Sequence, residues 1–223
     1  MSRIITFFLL FIVSLSINAQ TNKELRDSLT SISKQVARNP ESVDLRLKKA
    51  GVNLRLEQWD YACNEYNYVL SRYPDNISAL YFRAYAYMKM GKYKSSRSDY
   101  QHLLTIVPGH FESQLGLALL NQKDKHYTEA MDLLNIICSQ HPSRAEAFAA
   151  RAGLEAERKL FDLAEYDIKE AIRLDPDNID YRITHVDLLI KLNRKDEASE
   201  CLEELVNKGV PRPNLEDLFL RVK

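Results

Sequence analysis

Histidine, cysteine and carboxylate side chains are the groups of this chain that could perform acid–base, nucleophilic or metal chemistry. The chain contains no His-Glu-x-x-His, Cys-x-x-Cys, Gly-x-Ser-x-Gly or glycine-rich phosphate loop. Adjacent acidic residues such as Glu203 and Glu204 are typical of a solvated helix face. No histidine has a second ligand at metal-binding spacing; the five are His102, His110, His126, His141 and His185. The sequence therefore predicts a protein that is not an enzyme and has no cofactor or metal site.

The elements that position these side chains follow from a strict repeat of proline. Five of the seven prolines lie 34 residues apart, at Pro40, Pro74, Pro108, Pro142 and Pro176. Proline cannot continue a helix, so each one marks the end of a unit. A constant period of this length indicates stacked repeats. We therefore predict five copies of one module: residues 43–76, 77–110, 111–144, 145–178 and 179–212, here called repeats 1 to 5.

Small residues recur at two positions of the module. The eighth position holds Ala50, Ala84, Ala118, Ala152 and Val186, and the twentieth holds Ala62, Ser96, Ala130, Ala164 and Ala198. Bulky apolar residues recur at the seventeenth and twenty-fourth positions, as in Tyr93 and Tyr100. Small side chains let two helices approach closely. We therefore expect the small positions to be enclosed between the helices of each repeat.

These features resemble the tetratricopeptide repeat, a helix–turn–helix unit of the same length with alanines at the same two places. The resemblance implies an all-α, right-handed superhelical solenoid of about five units. It also implies an interaction protein. Repeat 5 is degenerate, with Lys195 at the aromatic position and Val210 in place of proline. The seventh position, usually leucine in the family, departs from it in most repeats, with basic residues at Lys49, Arg83 and Arg151.

The segments that flank the repeats predict export and two closing helices. Arg3, an apolar run over residues 4–17 and Ala19 are typical of a signal peptide over residues 1–19; retention of this segment as an anchor is the alternative. Residues 20–42 should form an N-terminal helix that packs on repeat 1 as a half-repeat cap. Residues 213–223 should form a capping helix that begins at Asn214. The product would be periplasmic or secreted, with no membrane span after cleavage.

The three cysteines fall in the second helices of repeats 1, 3 and 5, at Cys63, Cys138 and Cys201. A disulfide needs Cα atoms within about 7 Å, which is less than the separation of repeats that are not neighbours. We therefore expect separate, buried thiols; the alternative is intermolecular pairing through Cys201, if that residue is exposed.

The resemblance also implies a concave groove lined by the first helices, with positions 2, 5, 9, 12 and 13 of each repeat facing it. In repeats 1 to 3 this predicts partner-binding residues Leu47, Leu54, Arg55, Tyr81, Tyr85, Met88, Lys89, Leu115, Leu119, Gln122 and Lys123. Repeats 4 and 5 add Ala149, Gly153, Ala156, Glu157, Ile183, Asp187, Ile190 and Lys191. An apolar groove with flanking charges suits an extended peptide or a helix.

Tyrosine is concentrated in this region, with nine of the twelve between Tyr61 and Tyr100. Tyr66 and Tyr100 occupy structural places of the repeat, whereas Tyr81 and Tyr85 are either contact residues or packing residues. The family's carboxylate-clamp version needs Lys and Asn where this chain has Leu47 and Gly51, then the two tyrosines, so that version is disfavoured.

The overall charge is zero, but residues 21–110 carry 14 Lys and Arg against 9 Asp and Glu, and residues 111–223 carry 16 against 22. Either this charge asymmetry orients a partner, or the charges simply form an ordinary polar exterior. No basic stripe is interleaved with aromatic residues, so nucleic acid is not expected. The sequence predicts a scaffold or adaptor of the bacterial cell envelope that binds a protein or peptide. The alternative is a structural subunit of an envelope secretion or outer-membrane assembly complex.

Overall fold

The computed structural model describes residues 22–223, and every regular element in that range is a helix. The predicted signal peptide lies outside these residues. Helix α1 covers residues 22–38. Ten helices follow in five pairs: α2 (Val43–Arg55), α3 (Trp59–Arg72), α4 (Ile77–Lys89), α5 (Tyr93–Ile106), α6 (Phe111–Lys123), α7 (Tyr127–Gln140), α8 (Ala145–Glu157), α9 (Phe161–Leu174), α10 (Ile179–Lys191) and α11 (Lys195–Asn207). A 3₁₀ turn (Arg212–Leu215) leads into α12 (Glu216–Val222).

The chain divides into two compact halves, one ending at Pro108 and one beginning at Gly109. In the N-terminal half, α2 packs on α3, α3 on α4 and α4 on α5. In the C-terminal half, each helix from α6 to α11 packs on the next one, and α12 packs on α10 and α11. The prediction of an all-α fold of helix–turn–helix repeats is confirmed. No helix in residues 22–223 combines the length and the apolar character needed to cross a membrane.

Local sequence signals explain where the first helix begins in repeats 1, 2, 3 and 5. The Ser42 hydroxyl accepts a hydrogen bond from the Leu45 amide at 3.4 Å, and the Asn76 side chain accepts one from the Ala79 amide at 2.9 Å. These side chains satisfy amide groups that have no partner within the helix. His110 and Asn178 cap α6 and α10 in the same way.

The turn inside each repeat requires one residue in the left-handed backbone region. These residues are Glu57, Gly91, Lys125, Lys159 and Asn193, with φ values of 57°, 71°, 62°, 60° and 59°. Glycine adopts this conformation without steric cost, whereas a side chain adds strain. Only repeat 2 therefore carries the residue that this turn prefers.

The small positions are buried as predicted. All ten residues at the eighth and twentieth positions have no exposed surface. The bulky twenty-fourth position fills the space beside them, and its five residues are at most 1% exposed: Tyr66, Tyr100, Leu134, Ile168 and Leu202. The same packing scheme therefore builds the core of both halves.

Ion pairs explain the basic residues at the seventh position. The Arg83 guanidinium donates to both oxygens of Asp99 at 2.7 and 2.6 Å, and also to Asn67 at 2.7 Å. Arg151 donates to Asp167 at 2.5 and 2.8 Å and to Asn135 at 3.0 Å. In both cases the acidic partner lies 16 residues later, on the second helix of the same repeat. The arginine thus links its own repeat to the preceding one.

Both flanking helices pack on the repeats beside them. In α1, Leu25 and Val36 are each 7% exposed. At the other end, Leu215 and Leu218 join the buried cluster of repeat 5. The prediction that Asn214 caps the last helix was wrong, because Asn214 lies inside the 3₁₀ turn and α12 begins at Glu216 without a side-chain cap.

All three cysteines are free thiols, and the expectation of burial is confirmed for Cys63 and Cys138 but not for Cys201. Cys63 and Cys138 are buried, and Cys201 is partly exposed. Burial raises the pKa of the Cys63 and Cys138 thiols to about 11. Both thiols are therefore protonated and unreactive near neutral pH.

Candidate peptide-binding groove

An open groove of about 750 Å³ lies in the N-terminal half, between the first helices of repeats 1 and 2. Helix α2 forms one wall and α4 the other, with one side chain of α3 between them. The lining residues are Leu47, Lys48, Gly51, Leu54, Arg55, Tyr66, Ser78, Tyr81, Phe82 and Tyr85. A cavity of this size, with a mostly apolar lining, is typical of a ligand site.

Aromatic rings form the floor of the groove and hold one another in place. The ring of Phe82 lies edge-to-face against Tyr81, with centroids 5.0 Å apart, and stacks on Tyr66 at 6.3 Å. Tyr81 in turn meets the buried ring of Tyr100 at 6.0 Å, and these distances are those of favourable ring pairs. Phe82 is nevertheless 42% exposed, so it offers its free surface to a ligand.

Basic side chains surround this floor. Arg55 and Lys89 are the last residues of α2 and α4, and both are exposed. The Lys89 ammonium lies 5.3 Å from the centre of the Tyr85 ring. Lys48 pairs with Asp44 one turn earlier, at 2.7 Å. None of the lining residues is acidic.

Five of the predicted partner-binding residues line this groove: Leu47, Leu54, Arg55, Tyr81 and Tyr85. Met88 is 8% exposed and belongs to the interior, and Lys89 lies at the end of α4 outside the lining. Leu115, Leu119, Gln122 and Lys123 belong to the C-terminal half.

The sequence analysis did not predict the other five lining residues as partner-binding. Gly51 and Ser78 occupy positions 9 and 2, which the repeat pattern itself assigns to the groove. Phe82 occupies position 6, for which the pattern carries no such signal. Phe82 lines the groove because its ring packs on the ring of Tyr66.

Of the two alternatives for Tyr81 and Tyr85, the structure shows packing contacts for both, and their contact with a partner stays a prediction. Tyr81 is partly buried and packs on the core cluster that contains Ala50 and Tyr66. Tyr85 lies edge-to-face against Trp59 at 6.1 Å. Both rings still line the groove, so the core orients the surface that a ligand would meet.

The matching positions in the C-terminal half are engaged with one another. Gln122 and Tyr127 donate hydrogen bonds to the Glu157 carboxylate at 2.7 and 2.8 Å, and they hold the pKa of Glu157 below its usual value. Asp187 accepts ion pairs from Lys191 and Arg221, each at 2.7 Å. Gln122, Glu157 and Asp187 are therefore engaged within the protein, whereas Lys123 is exposed.

Comparison with known proteins agrees with this architecture. Residues 77–110 match the model of the tetratricopeptide repeat family. The rice DnaJ protein P58IPK homolog B (Oryza sativa subsp. japonica) is 29% identical over 176 residues, which are 75% of this chain and 32% of the relative. The chain thus spans about a third of the length of that curated relative.

Two solved structures share the fold. A tetratricopeptide repeat protein from Parabacteroides merdae superposes with a TM-score of 0.75 and 19% identity, over 91% of this chain and 79% of that one. PilW, a type IV pilus biogenesis factor, gives a TM-score of 0.73 and 17% identity, over 86% and 89%. Residues 77–110 thus match a tetratricopeptide repeat, and the chain shares the fold of solved tetratricopeptide repeat proteins.

Proposed function

We propose that this protein is a non-enzymatic interaction scaffold of the bacterial cell envelope that binds a peptide or a helix in the groove between α2 and α4. The observation that carries the proposal is the aromatic floor of this groove, on which the partly exposed Phe82 is fixed by Tyr66 and Tyr81. Aromatic anchors at the centre of a contact often supply most of the binding energy.

The groove is also preformed, which favours binding. Tyr66 and Tyr100 are almost completely buried, and the rings that line the groove rest on them. Side chains that are already fixed lose little conformational entropy when a ligand arrives. A partner would therefore meet a rigid apolar surface and not a flexible one.

Photo-crosslinking in the native envelope tests the proposal. A photoreactive residue would replace Ser78, which is exposed and lines the groove, or Ser95, which is exposed on α5 outside it. We expect a covalent partner from position 78, loss of that product when Phe82→Ala is added, and no such product from position 95. Equal products from both positions would contradict a groove-bound partner.

Export is a separate part of the proposal. The apolar run over residues 4–17 and Ala19 support cleavage of residues 1–19. N-terminal sequencing of the protein from the envelope fraction should find a chain that begins near Gln20 or Thr21. An intact Met1 in that fraction would contradict cleavage and favour a membrane anchor.

A further inference from the structure

The partner's chemical class follows from the charges around the groove, and this inference rests on the proposed function. We infer that the groove takes an acidic peptide segment in which a bulky apolar side chain is flanked by carboxylates. The apolar side chain would lie on Phe82 and Tyr81. The carboxylates would meet Arg55 and Lys89.

Arg55 and Lys89 are available for such a partner. Each occupies the thirteenth position of its repeat and is the last residue of its helix, Arg55 of α2 and Lys89 of α4. Within residues 22–223, neither side chain forms an ion pair with a carboxylate. An arginine guanidinium binds a carboxylate through two parallel hydrogen bonds, which gives direction as well as affinity.

A basic residue at a helix end is not by itself a ligand site, because the helix dipole favours a cation there. Lys191 shows this, since it occupies the same position in repeat 5 and pairs with Asp187. What distinguishes the N-terminal half is the combination of two cations without carboxylate partners, an aromatic floor and a lining that contains no acidic residue. A basic peptide would be repelled there, and a purely apolar one would leave both cations without a counter-charge.

The geometry of the rings favours a peptide over single-stranded nucleic acid, the other anionic partner that aromatic residues bind. Bases stack on open ring faces. One face of Phe82 is covered by Tyr66, and Tyr81 is partly buried on the core cluster. The exposed part of this floor therefore suits an aliphatic or aromatic side chain better than a row of stacked bases.

Selection from a display library of random short peptides tests the inference on the full chain without its signal segment. We expect selected peptides to combine Leu, Phe or Trp with neighbouring Asp or Glu. The dissociation constant of a synthetic selected peptide should rise about two- to twenty-fold in Arg55→Gln/Lys89→Gln, since each exposed ion pair contributes modestly. It should also rise when NaCl is increased from about 0.05 M to about 0.5 M.

The matched control is Lys34→Gln/Lys94→Gln, which removes the same charge from exposed sites on α1 and α5 of the same half. This control should bind the peptide like the parent. Circular dichroism and thermal melting of all variants show that each one is folded.

The possible outcomes separate this inference from the proposed function. Selected peptides that need Phe82 but contain no excess of Asp and Glu would overturn the acidic partner and leave groove binding intact. Peptides that bind Phe82→Ala as tightly as the parent, or a library that yields no binders, would overturn both. Tighter binding of an oligothymidylate through the same residues would overturn the peptide in favour of nucleic acid.

Discussion

Repeats 1 and 2 of the N-terminal half and repeat 4 of the C-terminal half differ at the thirteenth position of the repeat, where repeats 3 and 5 also carry a lysine. In the N-terminal half it holds Arg55 and Lys89, which lie beside aromatic rings and have no carboxylate partner within residues 22–223. In repeat 4 it holds Glu157, which accepts hydrogen bonds from Gln122 and Tyr127. The same backbone position therefore carries an exposed cation in repeats 1 and 2 and an internally hydrogen-bonded carboxylate in repeat 4. A repeat scaffold can vary its surface in this way because its core uses other positions.

A second difference lies inside the protein, at the eleventh position. Repeats 1 and 3 bury a neutral amide there, Asn53 and Asn121. Repeat 4 buries the carboxyl of Glu155, which is 6% exposed and whose Oε2 atom has no hydrogen-bond partner within residues 22–223. Burial, the largest cause, and Asp167 together raise the pKa of Glu155 to about 7 against the opposing effect of Arg151. The C-terminal half thus contains an internal group that titrates near neutral pH.

The largest expected effect tests whether the repeats of both halves are packed in the same way. Tyr100→Ala and Ile168→Ala remove the side chain at the same repeat position in each half, where both residues are 1% exposed. Each should lower the free energy of unfolding by about 2–5 kcal/mol, because a cavity remains. Urea denaturation measures this, with Tyr73→Ala as a control, since Tyr73 is 54% exposed. A small loss at one of the two sites would show that the halves are packed differently.

The next effect concerns pH. The pKa of Glu155 is higher in the folded state than its ordinary value of 4.5, so the folded state binds more protons between these values. Stability should therefore fall as pH rises from about 4.5 to about 7, by roughly 3 kcal/mol in total. Glu155→Gln should remove most of this fall and be more stable than the parent at pH 8. Asn53 and Asn121 show that the repeat accepts an amide at this position.

Urea denaturation of the parent and of Glu155→Gln across this pH range measures the pH dependence of the free energy of unfolding. Asn121→Asp, which places a carboxyl at the same position of repeat 3, serves as the converse variant and should introduce a similar dependence. Parallel curves for the parent and Glu155→Gln would show that Glu155 is ionised in the folded protein.

Overpacking should have a smaller effect, of about 1–3 kcal/mol. Ala62→Leu and Ala164→Leu place a larger side chain where the original residue has no exposed surface in either half. Both variants should melt at lower temperature, because the two helices of the repeat cannot separate without disturbing their neighbours. Ala149→Leu, at a partly exposed groove position, is the matched control and should change melting less. A parent-like melting temperature for Ala164→Leu would refute the alignment of the repeats.

The smallest effect is expected at Glu157, whose hydrogen bonds lie at the surface. Glu157→Gln keeps the shape and should change the free energy of unfolding by only about 0.5 kcal/mol. It should also leave peptide binding to the groove between α2 and α4 unchanged. If Glu157→Gln created a second peptide site, the contrast between the halves would depend on this one charge.

The repeat register was predictable from the sequence because it depends on properties that recur along the chain. Proline spacing marks where helices end, and small residues at two positions mark where helices touch. Ala130 and Ala164 were expected in the core for this reason, and both are fully buried. The groove positions Leu47, Leu54 and Tyr85 follow from the same register.

Other features were decided only by tertiary structure, because they depend on which helix lies opposite. The arginine at position 83 looked like a departure from the pattern until Asp99, on the facing helix, supplied its partner. Phe82 joins the groove because its ring rests on Tyr66 of α3. The last helix begins at Glu216 and not after Asn214, since a 3₁₀ turn places Leu215 in the core of repeat 5. Periodicity determines which positions face inward, but side-chain pairing across helices determines what each surface can bind.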